Sequence, residues 1–299
     1  MLIANPIYDT VFKYLMEDID IAKGIISTII DEEIVTLDLK AQESVYKSEK
    51  SLTVYHLDFI AKLRMKQGHH KNVLIELQKS NLPYDIMRFR RYLGEQYKKI
   101  DEVMQDDGTL SKESLPIITI YFLGFYISKT LPAVIKVDRR YIDVLGGKDI
   151  EERNDFIEKL THNSYVIQVP GLKLQMRSRL EWVLSIFKQE NFIEADSYRL
   201  KSYEYEPQDE LMKTILKQLE KAAGDKKLLR TLELEEMAER EYENAFGELE
   251  RKMMKQEKII TEKDKIITEK DKVIEGNKKL IDEKDQYIRE LLVKLEGKK

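Results

Sequence analysis

The sequence predicts a mixed α/β (or α+β) domain followed by a long helical tail. Three observations indicate this fold class. Apolar residues recur at helical spacing near the start of the chain, and three β-rich segments follow them. A helix and a further buried strand then complete an α-β-β-β-α-β order within the first 130 residues, which is typical of a sheet flanked by helices. From about Leu232 the composition changes sharply and a seven-residue repeat begins.

The first helical element is predicted as one stretch that begins after Asn5-Pro6 and ends at residues 31–33 (DEE). Its apolar residues repeat every three or four positions, as expected for a helix that buries one face: Phe12, Leu15, Met16, Ile19, Ala22, Ile26 and Ile29. Three extended segments follow, at Ile34–Glu43, Leu52–Met65 and Asn72–Gln78. Residues 67–70 (QGHH) favour a hairpin turn between the second and third segments.

A second helix is predicted from Tyr84 to Met104, because Pro83 introduces it and residues 106–108 (DDG) end it. The segment Leu115–Ser128 (LPIITIYFLGFYIS) is rich in β-branched and aromatic residues, which predicts a buried strand. Another strand is predicted at Tyr165–Val169, and a helix is predicted at Arg179–Gln189.

The tail carries a heptad pattern. One heptad position holds only Ile or Leu, which is typical of a coiled coil: Ile260, Ile267, Ile274, Ile281, Ile288 and Leu295. The position three residues later is polar in every heptad except at Leu291, so a solvated helix and a homo-oligomeric coiled coil both fit. We therefore divide the chain into a body (1–205), a helical connector (206–231) and a heptad-repeat tail (232–299).

Composition excludes several classes of function. The chain has no cysteine, so disulfides, thiolate catalysis and cysteine zinc sites are excluded. No stretch of about 18 apolar residues occurs and the start lacks a signal-peptide pattern, so we expect a cytoplasmic protein that does not enter a membrane. The net charge of −4 gives no global attraction to nucleic acid, so DNA binding would require a local basic patch.

Two carboxylates stand at positions that a solvated surface does not explain. Asp58 interrupts the apolar segment YHLDFI, and Glu76 ends the apolar run VLIEL. On paired strands the two would converge, and convergent carboxylates repel each other unless a cation neutralises them. Oxygen ligands of this kind suit Mg²⁺ or Mn²⁺. The alternative is that each residue simply marks the end of a strand.

The neighbours of this pair favour a phosphate-binding site. Gln78 lies two residues after Glu76 and therefore on the same face of the strand, where its amide could orient a water molecule. The following helix carries Arg88, Arg91 and Tyr92 at spacings of one turn. Guanidinium groups beside carboxylates suit a phosphate backbone, although a solvated helix face with salt bridges explains the same arginines.

This ordered set resembles the PD-(D/E)XK nuclease superfamily, specifically the bacterial branch of PD-(D/E)XK nuclease family transposases related to recombination-promoting nucleases. That branch typically begins with D-x-x-F-K, and residues 9–13 are DTVFK. An Asp on one strand, Glu-x-Gln on the next strand and an Arg-x-x-x-Tyr helix then follow in the branch. Here Asp58, residues 76–78 (ELQ) and Arg88 with Tyr92 occupy those places. The match covers residues 1–130 well and the chain up to about 205 weakly, and it excludes the tail.

The resemblance implies a restriction-endonuclease-like core and Mg²⁺- or Mn²⁺-dependent endonuclease cleavage of DNA, in recombination or mobile-element biology. It also implies roles for individual residues: metal ligands at Asp58 and Glu76, a substitute for the usual catalytic lysine at Gln78, additional site residues at Asp9 and Lys13, and DNA-backbone contacts at Arg88, Arg91 and Tyr92. Asp9 equally suits a helix cap. The alternative function is a catalytically silent nuclease-fold module that acts through coiled-coil oligomerisation or partner binding.

Overall fold

The computed structural model describes most of the body and a few residues of the tail. Described are residues 1–40, 55–64, 70–80, 86–104, 108–194, 197–238, 240–241, 263, 267–270, 274–275, 277–278 and 284. The chain forms two compact units, Met1–Ala238 and Glu239–Lys299. The first unit therefore extends beyond the predicted body and includes the predicted connector.

The first unit contains both helices and strands, which confirms the predicted mixed α/β class. The helices are α1 (Asp9–Met16), α2 (Ile19–Ile30), α3 (Ile86–Lys98), α4 (Asp155–Leu160), α5 (Arg179–Ser185), α6 (Glu210–Gly224) and α7 (residues 226–238). The strands are β1 (Leu2–Ala4), β2 (Glu33–Leu39), β3 (Tyr55–Arg64), β4 (His70–Ser80), β5 (Asp101–Met104), β6 (Leu110–Glu113), β7 (Ile117–Leu123), β8 (Val134–Val137), β9 (Tyr141–Asp143), β10 (Lys148–Ile150), β11 (His162–Gln168), β12 (Phe192–Glu194) and β13 (Ser197–Ser202).

The predicted first helix is in fact two helices. Asp18 separates α1 from α2 and adopts an extended backbone, and its side chain accepts a hydrogen bond from the Ile21 amide at 3.2 Å. An Asp in this position satisfies an otherwise unpaired amide at the start of a helix, so it begins a new helix rather than continuing the old one. The predicted apolar face is retained, because Phe12, Ile26 and Ile29 are all buried.

A six-stranded mixed sheet forms the centre of this unit, in the order β2-β3-β4-β7-β11-β8. Strands β2, β3 and β4 are antiparallel neighbours, and β4, β7 and β11 are parallel neighbours. Strand β8 closes the sheet antiparallel to β11. The predicted hairpin pairing of the second and third segments is confirmed by the Arg64–His70 register, whereas the turn itself, residues 65–69, lies outside the described residues.

The two faces of the sheet differ in chemistry. One face packs on α1 and α2 through a continuous apolar core, in which the rings of Phe12 and Phe122 meet edge to face with centroids 5.4 Å apart. The opposite face, which carries Asp58, holds two smaller apolar clusters. One cluster contains Leu74 and Ile117, and the other contains Phe89 of α3 with Leu123.

The second helix ends earlier in the structure than the sequence predicts. Helix α3 stops at Lys98, and residues 101–104 form β5, which pairs with β6. Two tertiary contacts explain this end: Asp101 forms a salt bridge with Lys40, and Val103 is buried against Leu74. The helical spacing of apolar residues therefore continues past Lys98, although tertiary packing makes residues 101–104 a strand.

Helix α7 fastens the C-terminal part of this unit to its beginning. The Glu235 carboxylate accepts hydrogen bonds from the backbone amides of Asp9 and Thr10, and Glu236 accepts one from the Tyr8 hydroxyl at 3.3 Å. A carboxylate at a helix N-terminus is favourable because it satisfies free amides and complements the helix dipole.

The second unit is described at only a few positions, and these are helical. Among them, the heptad residues Ile267 and Ile274 are 55% and 51% exposed. The other heptad positions (260, 281, 288 and 295) lie outside the described residues, so coiled-coil assembly stays a prediction. Within the described part of the chain, no helix combines the length and the apolarity needed to cross a membrane.

Candidate functional site

A row of four polar residues crosses the sheet on the face opposite α1. Asp58 of β3 is the direct register partner of Glu76 of β4, Glu76 is the partner of Thr119 of β7, and Thr119 is the partner of Ser164 of β11. Direct partners project from the same face of a sheet. The Thr119 and Ser164 hydroxyls confirm this, since they are 2.8 Å apart. We call these four residues the polar row.

The two predicted metal ligands are therefore neighbours. In antiparallel strands, the Cβ atoms of direct partners are about 4.5–5.5 Å apart, and Asp58 and Glu76 are such partners. The strand pairing therefore places the backbones of the two residues side by side. The Glu76 side chain itself lies outside the described part of the chain.

Gln78, the predicted substitute for lysine, lies on the same face as Glu76 and next to the polar row. Its register partners are His56 of β3 and Tyr121 of β7. The side chain is fully buried. The amide thus lies beneath α3 within the protein, where it supplies hydrogen-bond donors and an acceptor but no charge.

Gln96, which the sequence analysis did not select, contacts Asp58 directly. It lies in the last turn of α3 and is 6% exposed, and its Nε2 donates a hydrogen bond to Asp58 Oδ2 at 2.5 Å. Its Oε1 is buried and has no hydrogen-bond partner among the described residues. A sequence signal for Gln96 does exist: Phe89, Leu93 and Gln96 have the i, i+4, i+7 spacing of the buried face of a helix, and an amide on such a face needs a partner.

Helix α3 lies across the polar row. Gln96 contacts β3, whereas the adjacent Tyr97 places its hydroxyl 2.8 Å from Nδ1 of His162, which begins β11. Strands β4 and β7 lie between β3 and β11 in the sheet, so these two side chains attach the last turn of α3 to strands on both sides of β4 and β7. Burial, together with the nearby charge of Arg139, lowers the pKa of His162, which keeps its ring neutral at pH 7.

The predicted DNA contacts on α3 have different environments. Arg91 is exposed, as are Arg90 and Lys98. Tyr92 is half-buried and packs against the cluster that contains Phe89. The Arg88 side chain lies outside the described part of the chain. Arg91 is thus presented to solvent, while Tyr92 helps to hold α3 on the sheet.

The structure does not group Asp9 and Lys13 with Asp58. Helix α1 packs through Phe12 on the face of the sheet opposite the polar row. The Asp9 backbone amide is bound by Glu235, and Lys13 lies 3.6 Å from Glu17 one turn later. The N-cap of α1 is Tyr8, so Asp9 is the first helical residue rather than the cap that the alternative expected; an acidic side chain is favourable there.

A second cluster of charged residues surrounds Glu158 of α4. Its carboxylate accepts hydrogen bonds from Arg139 Nη2 and the Tyr141 hydroxyl, each at 2.7 Å, and from Lys71 Nζ at 3.2 Å. Arg139 also binds Asn163 Oδ1 at 2.8 Å. Because the members of this cluster bind one another, the cluster links α4 and β9 to the starts of β4 and β11 and has a structural role.

The residues around Asp58 suit a hard divalent cation. Asp58 and Glu76 are register partners that each carry a carboxylate, and Mg²⁺ typically takes one or two carboxylates and keeps several waters. The buried, unpartnered Gln96 Oε1 adds an acceptor that a cation or its water would satisfy. In the described ranges, no group of three or more His, Cys, Asp or Glu residues comes together to form a larger metal cage.

No family model, characterised protein or solved structure matched the chain in three comparisons. Functional inference therefore depends on the geometry of the polar row and of α3.

Proposed function

We propose that this protein is a divalent-metal-dependent DNA endonuclease that acts in recombination or mobile-element biology. The direct pairing of Asp58 with Glu76 is the observation that carries this proposal. It places the two carboxylate residues side by side on one face of the sheet, the face that also carries Thr119 and Gln78. Adjacent carboxylates repel each other, and a bound cation would relieve that repulsion.

The order of the elements supports a restriction-endonuclease-like core. After the short strand β1, helices α1 and α2 are followed by three antiparallel strands, and α3 then leads by way of the β5–β6 hairpin to β7, which is parallel to β4. Apart from β1 and the β5–β6 hairpin, this is the α-β-β-β-α-β order that the sequence predicts for the first 130 residues. Asp58 and Glu76 lie on β3 and β4, the second and third of these antiparallel strands.

The residues of the chain have separate roles in the proposed site. Asp58 and Glu76 hold the cation. Gln78 orients the attacking water or the phosphate through its amide, but it cannot supply the positive charge of a lysine. A divalent cation bound there would polarise the phosphodiester and lower the pKa of a water molecule.

The exposed cations of α3 provide the local basic surface that DNA binding needs. Arg90, Arg91, Lys98 and Lys99 are all exposed on this helix or directly after it. Guanidinium and ammonium groups bind phosphates without regard to sequence. Since the chain as a whole has a net charge of −4, we expect DNA to bind at this helix and to dissociate as salt rises.

Cleavage of supercoiled plasmid tests this function. We expect nicking by the wild type in Mg²⁺ or Mn²⁺, none in EDTA, and none by Asp58→Asn or Glu76→Gln. Asp38→Asn is the matched control, because Asp38 is an exposed carboxylate on the neighbouring strand β2; it should cut like the wild type. Equal nicking by all four proteins would disprove the assignment.

A catalytically silent module is the second candidate, and the burial of the site favours it. Gln78 is fully buried and the contact of Gln96 with Asp58 occupies one carboxylate oxygen. In this case the tail would act by assembly or partner binding. Calorimetry that detects no Asp58-dependent uptake of Mg²⁺ or Mn²⁺ would favour it. Light scattering on the full chain and on a chain that ends at Ala238 would show whether the tail forms the proposed homo-oligomer.

A further inference from the structure

We infer that Gln96 is a positioning residue of the cation site: its Nε2 fixes the Asp58 carboxylate, and its Oε1 supplies an oxygen to the cation or to one of the cation's waters. This inference rests on the proposed function and extends it to a residue on a different element. It assigns a role in the site to the last turn of α3, whereas the proposed metal ligands lie on β3 and β4.

The hydrogen bond to Asp58 carries the first half of the inference. Gln96 Nε2 lies 2.5 Å from Asp58 Oδ2, and the glutamine is 6% exposed. A donor to an ionised oxygen forms a short, strong hydrogen bond, so it fixes the rotation of the carboxylate. Partners that orient a ligating carboxylate in this way contribute to metal affinity although they do not touch the metal.

The opposite end of the same amide carries the second half. Gln96 Oε1 is buried and has no hydrogen-bond partner in the described part of the protein. A buried acceptor without a partner costs about 1–3 kcal/mol, and most buried acceptors are therefore paired with protein, water or an ion. Because Oε1 and Nε2 are bonded to the same carbon, Oε1 lies beside the Asp58 carboxylate. A hydrated cation at Asp58 would remove the cost.

The orientation of the amide is fixed by its chemistry. Exchanging Oε1 and Nε2 would place an acceptor against the Asp58 carboxylate, which only accepts hydrogen bonds when it is ionised. The orientation in the structure, with Nε2 facing Asp58 and Oε1 left without a partner among the described residues, is the one that a carboxylate acceptor requires.

A purely structural role explains only part of this geometry. Tyr97 shows what a structural contact of α3 looks like, since its hydroxyl pairs with His162 Nδ1 at 2.8 Å and holds the same turn to β11. An anchor of that kind needs one hydrogen bond. It does not account for a buried amide that leaves its carbonyl oxygen unsatisfied beside a carboxylate.

Titration calorimetry with Mn²⁺ on the full-length protein tests the inference. We expect Gln96→Leu to weaken Mn²⁺ binding about 10–100-fold, the usual effect of removing a group that orients a ligand. Gln96→Glu keeps an oxygen beside Asp58 and adds a negative charge that attracts the cation, so it should bind Mn²⁺ at least as tightly as the wild type. Tyr97→Phe is the matched control: it removes the neighbouring contact of the same helix turn and should leave the affinity unchanged. Asp58→Asn should abolish binding.

The outcomes separate this inference from the proposed function. If the wild type binds Mn²⁺ and Asp58→Asn does not, but Gln96→Leu binds like the wild type, Gln96 is only an anchor and the inference falls alone. Tighter binding by Gln96→Leu would show that the amide obstructs the cation, and this also overturns the inference. If the wild type shows no Asp58-dependent binding, the proposed function falls and the inference falls with it. Should Gln96→Leu not fold, Gln96→Glu decides: binding weaker than that of the wild type overturns the inference, and equal or tighter binding supports it.

Discussion

Replacing Glu158 with Gln is expected to destabilise the first unit. The Glu158 carboxylate is buried and accepts three hydrogen bonds, two of them from the cations Arg139 and Lys71. Removing one partner of a fully buried ion pair costs about 3–5 kcal/mol. The Lys71 and Arg139 side chains are 27% and 15% exposed, so water compensates part of the loss. We therefore expect a loss of about 2–3 kcal/mol at pH 7, close to the value of one hydrogen bond to a charged group.

Urea unfolding of the wild type and of Glu158→Gln measures this loss. The matched control is Asp149→Asn, which removes an ion pair with Arg140 in the same region of the chain. Both partners of that pair are mostly exposed, and their charged atoms lie 3.0 Å apart. Exposed pairs contribute about 0–1 kcal/mol, so the control should unfold at nearly the same urea concentration as the wild type.

The loss should also depend on pH. Burial raises the pKa of Glu158, but hydrogen bonds from Tyr141 and Lys71 and the charges of Lys71 and Arg139 outweigh burial and lower the pKa below its usual 4.5. A carboxyl group with a lowered pKa in the folded state contributes stability that is complete above its unfolded pKa and disappears as the pH falls through the folded value. The difference between wild type and Glu158→Gln should therefore be constant near neutrality and shrink below pH 4.5. A difference under about 1 kcal/mol at pH 7, or one that acid does not reduce, would refute the reasoning.

Three further predictions concern stability. Burial lowers the pKa of Lys201 to about 7, so between that pH and 10.5 the unfolded chain binds one more proton than the folded protein. The free energy of unfolding of the wild type should therefore rise by up to about 1.4 kcal/mol per pH unit in this range. Urea unfolding should show a smaller rise for Lys201→Met. Phe122→Ala should lower the free energy of unfolding, measured in urea, by about 3–5 kcal/mol, because Phe122 is fully buried in the main core. Glu235→Gln should cost about 0.5–2 kcal/mol, because its carboxylate caps α1 at the Asp9 and Thr10 amides; unchanged thermal unfolding would contradict this.

The elements that could be predicted from the sequence are those whose own residues carry a recognisable pattern. Segments β3, β4 and β7 alternate or accumulate β-branched residues, and the short hairpin connection sets the register of β3 with β4. The end of α3 was not predictable in this way, because Ile100 continues the helical spacing and only the burial of Val103 against Leu74 makes residues 101–104 a strand. Strand β1 pairs with β13 almost 200 residues later, a contact for which neither segment carries a local signal.

The candidate site was predictable in part for the same reason. Asp58 and Glu76 were selected because each interrupts an apolar strand, and pairing of those strands places them opposite each other. Gln96 was missed because its partner lies on a strand 38 residues earlier in the chain. Only its place on the buried face of α3 indicates it, and that face becomes clear once Phe89 and Leu93 are known to pack on the sheet.

Anomalous scattering from a crystal grown with Mn²⁺ is the most direct test of the central claim, that Asp58 and Glu76 together hold a divalent cation. We expect one strong anomalous peak on the sheet face that carries the polar row, with an oxygen of each carboxylate about 2.0–2.2 Å from it, close to the distance that Mg²⁺ adopts. The peak should be absent from crystals of Asp58→Asn. Its absence from the wild type, or a peak bound only by residues elsewhere, would contradict the proposed nuclease site.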